Sequence, residues 1–173
     1  AGNAVVDLAT SSFVMDQDVP ISSVSYPLNG SYVRDITPSV NPLTGGYVDT
    51  GNTNKGSVST VKIAIQEMGP PSYGKWWNGS NLFNQDNPPT SDNVSLWGTS
   101  WTYTNISTAN MQSGTSYYIT TEARDVGLNF ETDFNSGSSL FVYDSSIPVS
   151  GITLPSLAQI KSLPSISGTA RDY

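Results

Sequence analysis

The fold is first indicated by Ser12-Phe13-Val14-Met15-Asp16-Gln17-Asp18-Val19-Pro20-Ile21-Ser22-Ser23-Val24-Ser25-Tyr26-Pro27. A near copy returns as Leu140-Phe141-Val142-Tyr143-Asp144-Ser145-Ser146-Ile147-Pro148-Val149-Ser150-Gly151-Ile152-Thr153-Leu154-Pro155. Phenylalanine, aspartate and two prolines fall at the same places in both copies. Each copy is predicted to form a strand, a short acidic linker and a second strand. A stretch that recurs at a fixed spacing is typical of a tandem array.

Composition excludes several classes of function. The chain has 173 residues, with 7 Lys and Arg against 14 Asp and Glu, so its net charge is −7. An acidic chain does not replace the counterions on phosphates, which argues against nucleic acid and anionic membranes as partners. The chain has no Cys and no His, which excludes disulfides, thiolate or imidazole metal sites and His-based triads. No stretch approaches 18 apolar residues, so membrane insertion is not expected.

Hydrophobic patterning predicts an all-β fold. Apolar residues alternate at period two in several short segments, and no window has an apolar period of 3.6 residues. About seven short strands separated by turn signals lie between residues 17 and 144, which favours an antiparallel β-sandwich. Strands are expected at 21–26, 32–40, 58–65, 100–106, 116–122, 138–144, 149–154 and 163–170, with a loop at 41–55. Residues expected to point inward are Val61, Ile63, Ile65, Trp101, Tyr103, Tyr117, Ile119 and Phe141.

Residues 69–99 form the least regular segment. Pro70-Pro71 and Pro88-Pro89 interrupt it, and five aromatic residues lie within it. The composition predicts mostly loop with short edge strands. We interpret this Trp-rich insertion as the part that is peculiar to this unit.

Several short motifs resemble the bacterial Ig-like repeats of very large surface proteins and adhesins. They are Ala123-x-Asp125 with Asn129, Phe141-Val142-Tyr143-Asp144, the spacing from Pro148 to Pro155, and Ile166-Ser167-Gly168-Thr169-Ala170-Arg171-Asp172. The resemblance implies an Ig-like sandwich and an extracellular or cell-surface location. It identifies the scaffold better than the function, because this scaffold hosts many roles.

The resemblance also divides the chain. Residues 1–16 are interpreted as the last strand of a preceding repeat, and 17–144 as one full repeat that contains the Trp-rich insertion. Residues 145–173 are interpreted as the first strands of a following repeat. A lone strand or a two-stranded piece is marginal in water, so both ends are expected to pack against neighbouring copies or adjacent repeats. Head-to-tail contacts of this heterologous kind propagate into fibres.

Carboxylates near the two linkers are candidates for a metal site. The candidates are Asp16, Asp18, Glu122, Asp125 and Asp144. Ca²⁺ takes several oxygen ligands, including carboxylates, and in Ig-like adhesin arrays such junctions sometimes bind Ca²⁺ and stiffen the rod. The alternative is that these residues only accept backbone hydrogen bonds at strand ends and turns. No cofactor is required for either interpretation, and Ca²⁺ is the one ion considered.

Aromatic residues suggest a second kind of site. Exposed rings at Tyr73, Trp76, Trp77 and Trp97 could stack on sugar rings, which would make glycans partners of the insertion. The alternative is that the same rings fill the core or cover its flank. The two interpretations differ in whether Trp76 and Trp77 are exposed together on one surface.

Two further patterns are weaker. Asp86 and Asp92 flank Pro88-Pro89, but nothing in the sequence places their carboxyls across a cleft, as a glycosidase requires. Asn29, Asn78 and Asn93 each begin an N-x-[ST] sequon, which matters only if the source glycosylates asparagine.

The sequence therefore carries two hypotheses about function. The first is a structural or adhesive repeat of a long extracellular rod or filament, without catalysis. The second is a carbohydrate-binding module that uses the Trp-rich insertion. An enzyme is not expected, since the chain has no His, no Cys and no convincing catalytic pair.

Overall fold

A computed structural model describes residues 11–51, 55–89, 94–132, 137–156, 159–163 and 165–172. Within these ranges the chain is all-β, with one short 3-10 helix at Thr108–Asn110 and no α-helix. No helix in the described part of the chain is long and apolar enough to cross a membrane. The strands are β1 (Pro20–Tyr26), β2 (Tyr32–Val33), β3 (Leu43–Asp49), β4 (Val58–Glu67), β5 (Trp76–Trp77), β6 (Phe83–Gln85), β7 (Ser95–Trp97), β8 (Ser100–Tyr103), β9 (Thr115–Asp125), β10 (Ser139–Tyr143), β11 (Val149–Leu154) and β12 (Ser167–Arg171).

Two sheets enclose one hydrophobic core, as in a β-sandwich. The first sheet has the strand order β1-β3-β8-β7, and the second has the order β2-β10-β9-β4-β5-β6. Neighbouring strands are antiparallel except β2 and β10, which pair in parallel. The eight residues predicted to point inward are all buried, which confirms the period-two interpretation of these strands. They are Val61, Ile63, Ile65, Trp101, Tyr103, Tyr117, Ile119 and Phe141.

The prediction for residues 32–55 is wrong. The expected strand at 32–40 is reduced to β2, and the expected loop at 41–55 contains β3, a central strand of the first sheet. The reason lies at Gly45, where a Cβ would lie 1.9 Å from the Ser23 backbone oxygen and 2.3 Å from Cε2 of Trp101. Glycine at this position lets Trp101 pack directly against the backbone of β3. A composition that is typical of a loop therefore occurs in a closely packed strand.

The insertion agrees with its prediction. The described residues of this segment, 69–89 and 94–99, are mostly loop with the short strands β5, β6 and β7. Strands β5 and β6 extend one margin of the second sheet, and β7 forms an edge of the first. The insertion thus widens both sheets without forming a separate layer.

Strands β11 and β12 form a separate hairpin that repeats the pairing of β1 with β3. In both strand pairs the register shifts at the same place, just before the last pair of residues. In the β1–β3 pair the partners include Ile21↔Val48, Val24↔Gly45 and Tyr26↔Thr44. Their equivalents in the β11–β12 pair are, in the same order, Val149↔Arg171, Ile152↔Gly168 and Leu154↔Ser167. The sequence repeat is therefore also a repeat of strand register.

The described parts of both end segments are exposed. Residues 11–16 form no strand, which differs from the predicted final strand, and residues 1–10 lie outside the described residues. Phe13 is 86% exposed, and Ile152 and Ile166 of the C-terminal segment are 75% and 67% exposed. These apolar side chains are not buried against the sandwich.

Candidate metal centre

Three aspartates converge at one end of the sandwich. Asp16 lies in the linker before β1, Asp49 is the last residue of β3, and Asp125 is the last residue of β9. One carboxylate oxygen from each lies within 4.8 Å of the others. The linker and both sheets therefore each contribute one carboxylate to the cluster.

Asp49 is the most informative member of the cluster. Its side chain is 7% exposed, and neither carboxylate oxygen has a hydrogen-bond partner. Burial raises the pKa of Asp49, and the negative charges of Asp16, Asp125 and Asp18 raise it further, while Lys55 acts in the opposite direction. A buried carboxylate without partners is costly, because desolvation of a charge needs compensation.

The other two carboxylates are held in place by hydrogen bonds. The Gly56 amide donates to Asp16 Oδ2 at 2.7 Å, and the Asp18 amide donates to Asp16 Oδ1 at 3.2 Å. Asp125 is buried and accepts bonds of 2.8 Å from both the backbone amide and the side-chain amide of Asn129. The positions of Asp16 and Asp125 are thus fixed before any ligand arrives.

The chemistry of the cluster suits a hard divalent cation. All its donors are carboxylate oxygens, which Ca²⁺ and Mg²⁺ prefer, whereas Zn²⁺ and copper favour nitrogen and sulfur ligands. Two like charges 4 Å apart cost about 4 kcal/mol near a protein surface, so three converging carboxylates require compensation. A cation would supply that compensation and would give the free oxygens of Asp49 their missing partner.

The structure brings together only some of the residues predicted as metal ligands. Asp16 and Asp125 are in the cluster, and Asp18 is close enough to influence the pKa of Asp49. Glu122 instead lies 3.9 Å from the Lys62 ammonium. Asp144 hydrogen-bonds Ser146 and Ser113, and these bonds lower its pKa. Glu122 and Asp144 therefore do not belong to this centre.

Sequence reasoning missed Asp49, because it ends a strand that was interpreted as loop. A signal was nevertheless present. Leu43-Thr44-Gly45-Gly46-Tyr47-Val48-Asp49 matches Ile166-Ser167-Gly168-Thr169-Ala170-Arg171-Asp172 in its glycine and its final aspartate. Alignment of the two segments would have placed Asp49 beside the linker aspartates.

The aromatic candidates separate into buried and exposed residues. Trp77 is 1% exposed, and its Nε1 donates to the Tyr103 hydroxyl at 3.1 Å. Trp77 is therefore a core residue and cannot stack on a sugar, which corrects the expectation for this ring. Trp76 is half-buried, whereas Tyr73 and Trp97 are 73% and 87% exposed. Trp76 and Trp77 are not exposed together on one surface.

The remaining candidates have structural partners or lie outside the described residues. Asn29 Oδ1 accepts from the Leu140 amide at 2.9 Å, and Asn78 Oδ1 accepts from three backbone amides of its own turn. Asp86 pairs with Lys75, whose hydrogen bond lowers the pKa of Asp86. Asp92 and Asn93 lie outside the described residues.

Two comparisons of this chain with known proteins identify no similar family or protein. A scan against protein-family models finds no match, and a search of curated proteins finds none either. The fold and the site therefore define the class of protein only as an all-β sandwich with a carboxylate cluster beside the linker.

Proposed function

We propose that the protein is a structural repeat of an extracellular rod or filament, in which Ca²⁺ fixes the linker to the end of the sandwich. The observation that carries the proposal is Asp49, a buried carboxylate with no hydrogen-bond partner that converges with Asp16 of the linker. An ion at this place would connect the incoming chain to both sheets. The linker would then hold a defined direction rather than swing freely.

The repeated hairpin supports the tandem part of the proposal. Strands β11 and β12 follow the pairing of β1 and β3 residue for residue, and Asp172 follows β12 as Asp49 ends β3. A chain that contains part of its own fold twice fits a linear array of similar units. The role we propose is mechanical, with neighbouring copies or adjacent repeats as partners and no catalysis.

The exposed apolar residues of the linker fit the same role. Phe13, Val14 and Met15 line an open cavity of about 550 Å³ together with Val126 and Lys55. This surface lies next to the carboxylate cluster, because Asp16 and Gly56 line it too. An ion that fixes Asp16 would also fix these apolar side chains, which a neighbouring unit could then cover.

Calorimetric titration of the metal-free chain with CaCl₂ tests the proposal. We expect saturable binding of about one ion per chain and a higher melting temperature, because an ion that binds only the folded state stabilises it by mass action. Asp49→Asn keeps the shape of the side chain and should abolish both effects. Glu122→Gln is the matched control, since Glu122 pairs with Lys62 outside the cluster.

Two results would contradict the proposal. Calcium binding that persists unchanged in Asp49→Asn would place the ion outside this cluster. Identical melting temperatures in CaCl₂ and in EDTA would show that calcium does not stabilise the chain.

Electron microscopy of the calcium-loaded chain tests the assembly. Linear head-to-tail particles are expected, and dispersed monomers at high concentration would leave the chain a calcium-binding module without the structural role.

A further inference from the structure

A row of four residues crosses the face of the first sheet that points away from the core. Ser23 on β1 pairs with Gly46 on β3, Gly46 pairs with Ser100 on β8, and Ser100 pairs with Trp97 on β7. Three strand spacings of about 4.8 Å give the row a length of roughly 14 Å. The row ends at Trp97, whose side chain is 87% exposed.

The turn beside Trp97 is fixed by Tyr47. Gly98 and Thr99 form a two-residue loop between β7 and β8, and Gly98 has φ +61°, as the first position of a type II′ turn requires. The Tyr47 hydroxyl donates to the Gly98 carbonyl at 2.9 Å, and the Tyr47 amide donates to the Thr99 carbonyl at 2.9 Å. A ring on such a rigid turn binds a ligand at a low cost in conformational entropy.

A depression of about 290 Å³ lies between this turn and β1. Ile21 and Val48 form its apolar side, and Ser23, Gly46 and Thr99 line the rest. Gly46 leaves the space open because it has no side chain there. Hydroxyl groups, apolar atoms and an exposed indole therefore lie along one continuous face.

The chemistry of this face selects a type of ligand. No charged residue occurs in the row or in the lining of the depression, although the whole chain has a net charge of −7. The neighbouring row of Thr44, Thr102 and Ser95 adds only hydroxyl side chains. A pyranose ring offers both an apolar C–H face for an indole and hydroxyls for serine and threonine.

We propose that this face binds a neutral oligosaccharide, with Trp97 stacking on one sugar ring and the depression at Gly46 accepting a neighbouring ring. The site shares no ligand residue with the Asp16, Asp49 and Asp125 cluster. It is therefore independent of the proposed calcium-dependent role, and either proposal can fail alone. An adhesive unit of this design would carry its glycan site on the outer face of the first sheet, to which the insertion contributes Trp97.

Titration of the full chain with cellohexaose, mannohexaose and chitohexaose tests the site, with intrinsic tryptophan fluorescence and calorimetry as readouts. At least one of these neutral probes should bind saturably, and a sulfated oligosaccharide should not. Trp97→Ala should weaken binding about tenfold or more, as expected for a central aromatic contact. Tyr73→Ala is the matched control, because Tyr73 is also largely exposed but lies between β4 and β5 of the second sheet.

Gly46→Val provides a second variant that leaves Trp97 in place. A Cβ at position 46 meets only Ser23 Oγ at 3.6 Å and the Thr99 carbonyl at 3.7 Å, which are ordinary contacts, so the fold should be retained. The valine would fill the depression, and binding should again weaken while the melting temperature stays close to that of the wild type.

Three results would overturn the proposal. The first is a wild-type chain that binds none of the neutral probes. The second is a Tyr73→Ala variant that loses binding while Trp97→Ala keeps it. The third is a face that is covered by a second copy of the chain, which light scattering would reveal as a dimer that Trp97→Ala dissociates.

Discussion

The strand pairs β1–β3 and β11–β12 share a register and differ in their surroundings. In the first, Leu43 is fully buried, whereas Ile166 at the equivalent place in the second is 67% exposed. The first pair is covered by β9, where the Ser22 hydroxyl donates to Thr121 Oγ1 at 2.8 Å. Every residue of β11 and β12 is exposed. Local sequence thus sets the pairing of strands, and burial depends on the layer that covers them.

The carboxylates differ in the same way. Asp49 is buried at the end of strand β3, and its carboxylate oxygens have no hydrogen-bond partner. Asp16 converges with Asp49 in the carboxylate cluster. Asp144, the equivalent of Asp16, hydrogen-bonds the Ser146 amide at 2.9 Å and lies outside the cluster. The same sequence motif therefore joins a carboxylate cluster only where the sandwich supplies the other two carboxylates.

The largest expected effect comes from alanine at Gly45, the first of the two equivalent glycines. Gly45→Ala places a Cβ 1.9 Å from the Ser23 backbone oxygen and 2.3 Å from Cε2 of Trp101, and Trp101 is fully buried. We expect a loss of about 3 kcal/mol in the free energy of unfolding, since overpacking of a core costs about this much. That corresponds to a fall of roughly 10 °C in melting temperature for a chain of this size.

Gly168→Ala is the matched control. Its Cβ would lie 2.6 Å from the Gly151 carbonyl, so the exposed hairpin must shift, but no core residue is involved. Differential scanning calorimetry should show the main transition unchanged. Equal shifts in the two variants would mean that the second hairpin is covered in solution, which would contradict the difference in burial.

Period-two patterning explains how much of the fold could be predicted. Val61, Ile63 and Ile65 recur at period two, so their common inward direction follows from the sequence alone. Strand β3 could not be found this way, because Gly45 and Gly46 are typical of loops and only the packing of Trp101 explains a glycine in that strand. The rule that glycine-rich segments form turns or loops fails where a glycine lets another side chain pack against the backbone.

The candidate site was predictable in part for the same reason. Asp16 and Asp125 were identified from linker and turn motifs, and the structure brings them together. Asp49 was missed with its strand, although its unpartnered oxygens are the strongest indication of a cation. For Trp77 the sequence leaves sugar stacking and core packing both open, because it gives no sign of the bond between Trp77 Nε1 and the Tyr103 hydroxyl. Long-range contacts of this kind cannot be derived from composition.

A smaller effect should separate the two linker aspartates. Asp16→Asn removes one carboxylate of the cluster and should weaken Ca²⁺ binding about tenfold, which is a change of about 1.4 kcal/mol in the free energy of binding. Asp144→Asn should leave calcium affinity unchanged, because Asp144 lies outside the cluster. Calorimetric titration of both variants measures the difference. A larger loss in Asp144→Asn would assign the ion to the second linker instead.

The smallest effect concerns the pH dependence of stability without calcium. The pKa of Asp49 is raised above its ordinary value of 3.8, chiefly by burial and then by its aspartate neighbours. The folded state therefore binds a proton more tightly than the unfolded state at this residue. As pH rises from about 4 towards neutrality, the contribution of Asp49 to the free energy of unfolding falls, and it is fully lost above the raised pKa.

Asp49→Asn isolates this contribution from the other carboxylates, several of which act in the opposite direction because hydrogen bonds lower their pKa values. The wild type should lose stability relative to Asp49→Asn as pH rises in EDTA. In CaCl₂ the order should reverse near neutrality, since the ion binds the ionised carboxylate and the amide variant gains nothing from it. Chemical denaturation at several pH values, with and without calcium, measures both differences. Parallel profiles for the two proteins in EDTA would mean that Asp49 is solvated in solution, and the carboxylate cluster would then lose the property that distinguishes it from ordinary strand-end aspartates.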